Sequence, residues 1–320
     1  MMKILITGGF GFIGSHLVDL LLKEKHKIVI LTKSYSKKQN ISHKLKKIKV
    51  EKVDITNFKK LSKSIENSKP DVIIHLAGIT SHSESFEKPM LDVDSNAKST
   101  LFILEEIRKK FPKCRFILGS TFIVIGRPKK LPVDELTPCQ PTTIYGANRL
   151  ASEYYCKIYH EMYGLNTNVF RITNSFGPRE QIIPKKNAVN FLLYNAYKGK
   201  EVRIFNHGKF FRDLIYVSDV VSGINTILKK GKPGHLYWIS SGKKTWFYNF
   251  AKLLRKRTGC KIKYVPSPNY TKKVDVGNFI VNNSKLKSLG WKPSVSLEDG
   301  VQETIAFFNA TNNYDGLKND

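Results

Sequence analysis

The segment "ITGGFGFIGSHL" (residues 6–17) decides how this 320-residue chain is read. It sets a glycine cluster between a continuous apolar run, "KILITG" (3–8), and a stretch of helical periodicity, "GSHLVDLLLKE" (14–24). Gly9, Gly11 and Gly14 satisfy G-x-G-x-x-G, and Gly8, Gly11 and Gly14 satisfy G-x-x-G-x-x-G. Glycine at such a junction permits a tight turn, close backbone approach to a pyrophosphate, and close packing of helix on strand. The helix N-terminus that follows offers free N–H groups and a positive dipole end to phosphates. The reading is a dinucleotide-binding turn, with an ordinary glycine-rich turn as its alternative.

The end of the second strand, "KIVILT" (27–32), bears on which dinucleotide is bound. An acidic residue there would take the ribose 2′-hydroxyl, and a basic one would accommodate a 2′-phosphate. Thr32 and Lys33 stand at that point, and no carboxylate occurs between Glu24 and Glu51. NADP is therefore favoured over NAD, unless Lys33 is simply another surface lysine.

Working outward, strand signals recur at "IKVEKVD" (48–54), "DVIIHLA" (71–77), "RFILGST" (115–121) and "TNVFRIT" (167–173). Helical stretches lie between them at 57–67, 92–110 and 144–163. This alternation implies βαβ units and a Rossmann-type doubly wound parallel sheet, an α/β fold. After about residue 174 the pattern loosens, with helices near 187–198, 217–229, 246–258 and 298–309. The expected organisation is a dinucleotide-binding domain over 1–174 and a smaller, mainly substrate-binding lobe over 175–310. Some of the lobe's chain is expected to cross back to the sheet. The polar tail 311–320 is expected to fray.

Bulk composition narrows the function. A hydrophobic content of 41% and a charged content of 25% describe a folded globular chain. No apolar run approaches the ~20 residues of a membrane span. The opening "MMKILITGG" is too short for a signal-peptide core and reads as a first strand. Cys114, Cys139, Cys156 and Cys260 are scattered without a C-x-x-C, which argues against a structural metal or a disulfide framework and fits a reducing, cytoplasmic setting. The net charge of +28 comes from lysines spread along the chain. The dense cluster "HKLKKIK" (43–49) lacks interleaved aromatics, so the charge reads as a field attracting a small polyanion rather than as a nucleic-acid surface.

Further along, "TTIYGANRLASEYY" (142–155) places Tyr145 and Arg149 four apart on one helical face. "VDIT" (53–56), "HLAG" (75–78), "GSTFIVIG" (119–126), "RITNSFGPRE" (171–180), "FFRDLIYVSDVV" (210–221) and "SKLKSLGWKPSVSLEDGVQETIAFF" (284–308) complete an ordered set. With these, the chain resembles the extended short-chain dehydrogenase/reductase family, in the branch that modifies nucleotide-diphosphate sugars. The resemblance spans nearly the whole chain. It implies that Gly8, Gly11, Phe12, Ile13 and Gly14 cradle the cofactor pyrophosphate. Thr32, Lys33, Asp54 and Ile55 would flank its adenosine half, and Leu76 and Ala77 the strand beside it.

The resemblance also implies the chemistry. A tyrosine, here Tyr145, moves the sugar hydroxyl proton, assisted by Thr121, while the cofactor exchanges a hydride with the sugar. A free phenol is a poor base at neutral pH, and a nearby cation favours its ionised form. The family's lysine, which also binds the nicotinamide ribose, is replaced here by Arg149. Arginine keeps its charge but cannot lose a proton. Arg149 thus replaces lysine in function, or marks a slowed or specialised site, or marks a protein that has kept only binding.

On the substrate side the resemblance assigns Asn174 and Arg212 to the diphosphate. Lys272 stands where an arginine usually clamps it. Asn190 and residues 202–205 fall where base and ribose are held, and Thr80 and Ser120 are further candidate contacts. Dehydrating members carry Asp-Glu where this chain has Phe122-Ile123, and decarboxylating members carry Glu at the place of Ile123. What remains is hydride chemistry at one carbinol, most often C4. The first expectation is an epimerase working through a transient keto sugar. An NADPH-dependent 4-keto-sugar reductase, and a lapsed enzyme that only binds, are the alternatives. Family members commonly pair as homodimers through a four-helix bundle, which here would use 92–110 and 144–163.

Overall fold

The computed structural model describes residues 1–183, 187–268 and 274–311. The glycine segment folds as β1 (Lys3–Thr7), a turn, and α1 (Phe12–Lys23). Then come β2 (Lys27–Thr32), β3 (Lys49–Lys52), α2 (Phe58–Ser68) and β4 (Val72–His75). Two short helices, α3 (His82–Glu87) and α4 (Pro89–Asp92), precede α5 (Ser99–Lys110). The chain continues through β5 (Arg115–Thr121), α6 (Ile144–Tyr163), β6 (Thr167–Ile172), β7 (Asn174–Phe176), α7 (Ala188–Tyr197), β8 (Val202–Phe205) and β9 (Phe211–Tyr216). It closes with α8 (Val217–Lys230), β10 (Leu236–Ile239), β11 (Lys244–Trp246), α9 (Phe247–Thr258), β12 (Ile262–Val265) and α10 (Leu297–Ala310).

Seven strands form one parallel sheet in the order β10-β6-β5-β4-β1-β2-β3. This is the doubly wound sheet that the alternating pattern predicts. Its central strands read as unbroken apolar runs because helices cover both faces. Ile4, Leu5 and Ile6 sit in register between Ile28, Val29 and Ile30 of β2 and Val72, Ile73 and Ile74 of β4. Alternate side chains go to opposite faces. Ile4 and Ile6 join Leu17 of α1 and Ile224 of α8, whereas Leu5 joins Leu61 of α2 and Ile103 of α5. Each such fully buried aliphatic is worth roughly 1.5–3 kcal/mol.

Strand order reverses between β1 and β4, the topological switch point at whose carboxyl ends an open α/β sheet leaves a crevice. The chain beyond residue 174 supplies α8 and β10 to this sheet and also builds a second layer over the crevice. That layer holds the three-stranded sheet β11-β9-β7, the pair β12-β8, and α7, α9 and α10 around their own apolar cluster. The helical stretch expected around 92–110 is continuous from Pro89 to Lys110, with a π turn, Val93–Lys98, joining α4 to α5. Ser95, Ser99 and Thr100 each bond a carbonyl four residues back, and the widened turn carries Asn96. No helix among the described residues is long and apolar enough to cross a membrane.

Candidate active site

The switch-point crevice is a continuous cleft of about 1760 Å³ running from the glycine turn to the second layer. Gly11 caps α1 without a side-chain hydrogen bond, so the first N–H groups of that helix remain available at the cleft wall formed by Phe12, Ile13 and Gly14. A methyl on Gly14 would overlap the Gly8 carbonyl oxygen, and one on Gly8, which has φ +75°, would come within 3.1 Å of the Ala77 amide nitrogen. Thr7 ties the ends of β1 and β4 together. Its hydroxyl accepts from the Leu76 and Ala77 amides at 3.2 and 3.1 Å and bonds His75 Nδ1 at 2.7 Å. Burial first, and the Arg149 charge second, push the His75 imidazole down to about 3, so it is a neutral structural group.

At the end of the cleft beside β2 and β3, Thr32, Lys33, Asp54 and Ile55 all line the wall. Lys33 Nζ lies 3.1 Å from Asp54, so the expected 2′-phosphate ligand already has a carboxylate partner. Part-burial works to raise the Asp54 pKa, but the Thr56 amide and hydroxyl and Lys33 hold it below the usual range.

The start of α6 is fixed by Thr143, whose hydroxyl accepts from the Gly146 amide at 3.0 Å. Tyr145 and Arg149 are both buried in the cleft wall, with the guanidinium carbon 5.9 Å from the phenol ring centre. Arg149 Nε and Nη1 have no hydrogen-bond partner among the described residues, and neither has the Oδ1 of Asn96. A side chain at Gly78 would overlap that Asn96 oxygen and come within 3.0 Å of Arg149 Nη2. A buried cation without partners is costly unless a ligand completes it. The unpartnered donors and acceptor, with the bare backbone at Gly78, therefore fit the polar ribose of a nicotinamide dinucleotide.

Thr121 ends β5 at the cleft, and its oxygen accepts from the Ile123 amide at 3.3 Å, leaving its own proton to donate. Ser120 also borders the cleft, but its proton goes to Glu153 at 2.5 Å, so only its lone pairs are open to a substrate. Glu153 is in turn gripped by Arg171, whose Nη2 approaches to 2.6 Å.

The loop after β4 brings Thr80, and the second layer brings Asn174 and Arg212, to the same cleft. The Asn174 Oδ1 is buried and unpartnered among the described residues. Arg212 pairs not with neighbouring Asp213 but with Asp275 at 2.5 Å, and also donates to the Phe211 and Gly277 carbonyls. Asp213 turns away to accept from Ser241, Gly242 and Val281, and burial pushes its carboxyl up to about 6. Asn190 requires correction as a substrate ligand: it is buried outside the cleft lining, its amide spent on the Gly177 backbone and on Glu180 at 2.5 Å. Val202 is likewise a core residue, whereas Arg203, Ile204 and Phe205 do line the cleft. Lys272 lies outside the described residues.

Sequence reasoning missed His82, Glu84, Arg179 and Glu180, all in the lining. The imidazole of His82 stacks on Tyr145, ring centres 5.8 Å apart and planes 27° from parallel. A signal was present, since "SHSE" (81–84) has the S-x-x-E form of a helix start, and the Ser81 hydroxyl accepts from the Glu84 amide at 3.3 Å.

A family model described as GDP-mannose 4,6 dehydratase matches residues 5–304. A putative UDP-glucose 4-epimerase of Methanocaldococcus jannaschii is 29% identical, the match covering 97% of this chain and 99% of that protein. The UDP-glucose 4-epimerase of Thermotoga maritima, solved with UDP-glucose, superposes with a TM-score of 0.90 at 30% identity, over 98% of this chain and 100% of the other. A dTDP-glucose 4,6-dehydratase of Bacillus anthracis in complex with NAD gives 0.85 at 27% identity, over 99% and 98%. Epimerases and dehydratases thus stand at comparable distance. The chain belongs to the GDP-mannose 4,6-dehydratase family, within the nucleotide-sugar epimerase/dehydratase branch of the extended short-chain dehydrogenases/reductases.

Proposed function

We propose that the protein acts at a carbinol of a nucleotide-diphosphate sugar, C4 by family precedent, as an epimerase. The observation that carries this reading is the pairing of Tyr145 with the buried, unpartnered Arg149, in one cleft with Thr121 and the glycine turn. Gly8, Gly11, Phe12, Ile13 and Gly14 would hold the cofactor pyrophosphate, Asp54 and Ile55 the adenosine, Leu76 and Ala77 the adjoining strand edge, and Arg149 the ribose. When bound, the nicotinamide supplies acceptance and return of a hydride at one sugar carbon. Thr121 donates to the reacting sugar oxygen, and Tyr145 takes the proton of that hydroxyl and later returns it. Arg149 faces the negative charge that the Tyr145 oxygen carries before it takes the proton and again after it returns it, and Arg149 keeps its own protons. Asn174 and Arg212 hold the diphosphate, with Thr80 and the Ser120 lone pairs nearer the sugar. Two copies paired through α5 and α6 complete the proposal.

The residues after Thr121 favour hydride chemistry alone. Phe122 and Ile123 offer no carboxylate for elimination or decarboxylation, and Ile123 is buried in an apolar cluster with Tyr145. Replacing Arg149 tests whether the site is active as built. Arg149→Met is expected to lower turnover about 100-fold by removing the facing charge, and Arg149→Lys to leave it unchanged or lower. A gain in Arg149→Lys would mark a lapsed site that only binds.

A 4-keto-sugar reductase is the second reading, favoured by Lys33 at the end of β2. It requires NADPH to bind more tightly than NADH in a fluorescence titration. Lys33→Ala is then expected to weaken NADPH roughly tenfold and to leave NADH unchanged, the size of one charged hydrogen bond. Tighter binding of NADH by the unaltered protein would assign NAD, with Lys33 serving only Asp54.

A further inference from the structure

We propose that His82 is a substrate-contacting residue, hydrogen-bonding a sugar hydroxyl next to the carbon on which Tyr145 acts. This rests on the nucleotide-sugar reading above and adds a group that Tyr145, Arg149 and Thr121 do not include. His82 opens α3 immediately after its Ser81 cap, at the cleft wall. Its imidazole lies against the Tyr145 ring, so both rings border the same space. Neither ring nitrogen is hydrogen-bonded to another described residue; the one side-chain hydrogen bond made to His82 among the described residues goes to its carbonyl, from the Ser85 hydroxyl at 2.8 Å. A half-buried imidazole with two free nitrogens is an incomplete group, and the cleft is where it can be completed.

The chemistry of the missing partner follows from the charge state. Burial holds the His82 imidazole below its ordinary value, so near neutral pH one nitrogen donates and the other accepts. That pair matches a hydroxyl, which also does both. A phosphate, which calls for a cation, is served instead by Arg212 across the cleft. The stack on Tyr145 fixes the imidazole plane, so the hydroxyl it selects is held in a set position relative to the phenol oxygen.

Binding separates the sugar's contribution from the nucleotide's. UDP-glucose, dTDP-glucose and GDP-mannose are titrated calorimetrically, each against its free diphosphate, into the nicotinamide-loaded protein. His82→Phe keeps the ring and removes both nitrogens. It is expected to weaken the preferred nucleotide sugar about tenfold while leaving the free diphosphate and the nicotinamide unchanged. His82→Gln, with one donor and one acceptor, is expected to regain most of that loss. Binding of the nucleotide sugar by His82→Phe within twofold of the unaltered protein would overturn the proposal and leave the nucleotide-sugar reading standing. If the unaltered protein bound none of the three, the nucleotide-sugar reading would itself fail, and the His82 proposal with it.

Discussion

Tyr145→Phe lowers turnover of the nucleotide sugar by about 10³-fold, the usual scale for removing a positioned general acid/base. The ring itself is preserved. It sits in an apolar cluster with Ile123, Val124 and Trp238 and stacks on His82, contacts that phenylalanine keeps. The Tyr145 hydroxyl is hydrogen-bonded to no other described residue, so its loss leaves no orphaned group and little change in stability. Nicotinamide and nucleotide-sugar affinities should hold within a few-fold, placing the defect in kcat. Single-turnover kinetics with the loaded protein, beside thermal unfolding of both forms, check this. A variant retaining a tenth or more of the activity would remove Tyr145 from the proton-transfer role.

Glu153→Ala costs about 3–5 kcal/mol of stability, the scale of breaking a buried ion pair from one side. Glu153 and Arg171 are both nearly inaccessible, and three guanidinium–carboxylate contacts join them at 2.6, 3.0 and 3.2 Å. Burial alone would lower the Arg171 pKa, and the Glu153 charge reverses that. With the carboxylate gone, the Arg171 guanidinium keeps, among the described residues, only the Cys139 sulfur at 3.1 Å and the Trp238 ring at 5.4 Å. Ser120 loses its acceptor as well, which frees the end of β5 that carries Thr121. Urea unfolding should show a lower midpoint at unchanged slope. The double variant Glu153→Leu with Arg171→Leu should recover most of the loss, because an apolar pair restores a compensated interior. A loss below about 1 kcal/mol in Glu153→Ala would reduce this pair to the worth of an exposed salt bridge.

The central sheet was legible because its physics is local. A strand buried on both faces is an apolar run, and the turn after β1 shows itself through residues that only glycine can occupy, Gly8 and Gly14 among them. β10 was not legible: "LYWI" is four residues long, and its membership of the sheet depends on pairing with β6, some 67 positions earlier by the register of Leu236 with Val169. The π turn at 93–98, which packs against α6, escaped because its hydroxyl residues are compatible with a plain helix.

At the candidate site, residue types were legible and their partners were not. Tyr145, Thr121, Asn174 and Arg212 all reach the cleft. That Arg212 would meet Asp275, 63 positions away, or Lys33 meet Asp54, follows from tertiary approach that no local pattern encodes. Asn190 is the instructive failure. An asparagine in the expected region was drawn off by the Gly177 backbone and the Glu180 carboxylate, which satisfy it completely inside the wall.

The most direct test of nicotinamide-dependent chemistry on a nucleotide sugar is a product NMR assay. The protein is incubated with UDP-glucose, dTDP-glucose and GDP-mannose, each with NAD and with NADP. The account predicts conversion of at least one sugar to its C4 epimer, abolished in Tyr145→Phe. Unchanged sugar in every combination, with no nicotinamide binding by fluorescence, would contradict it.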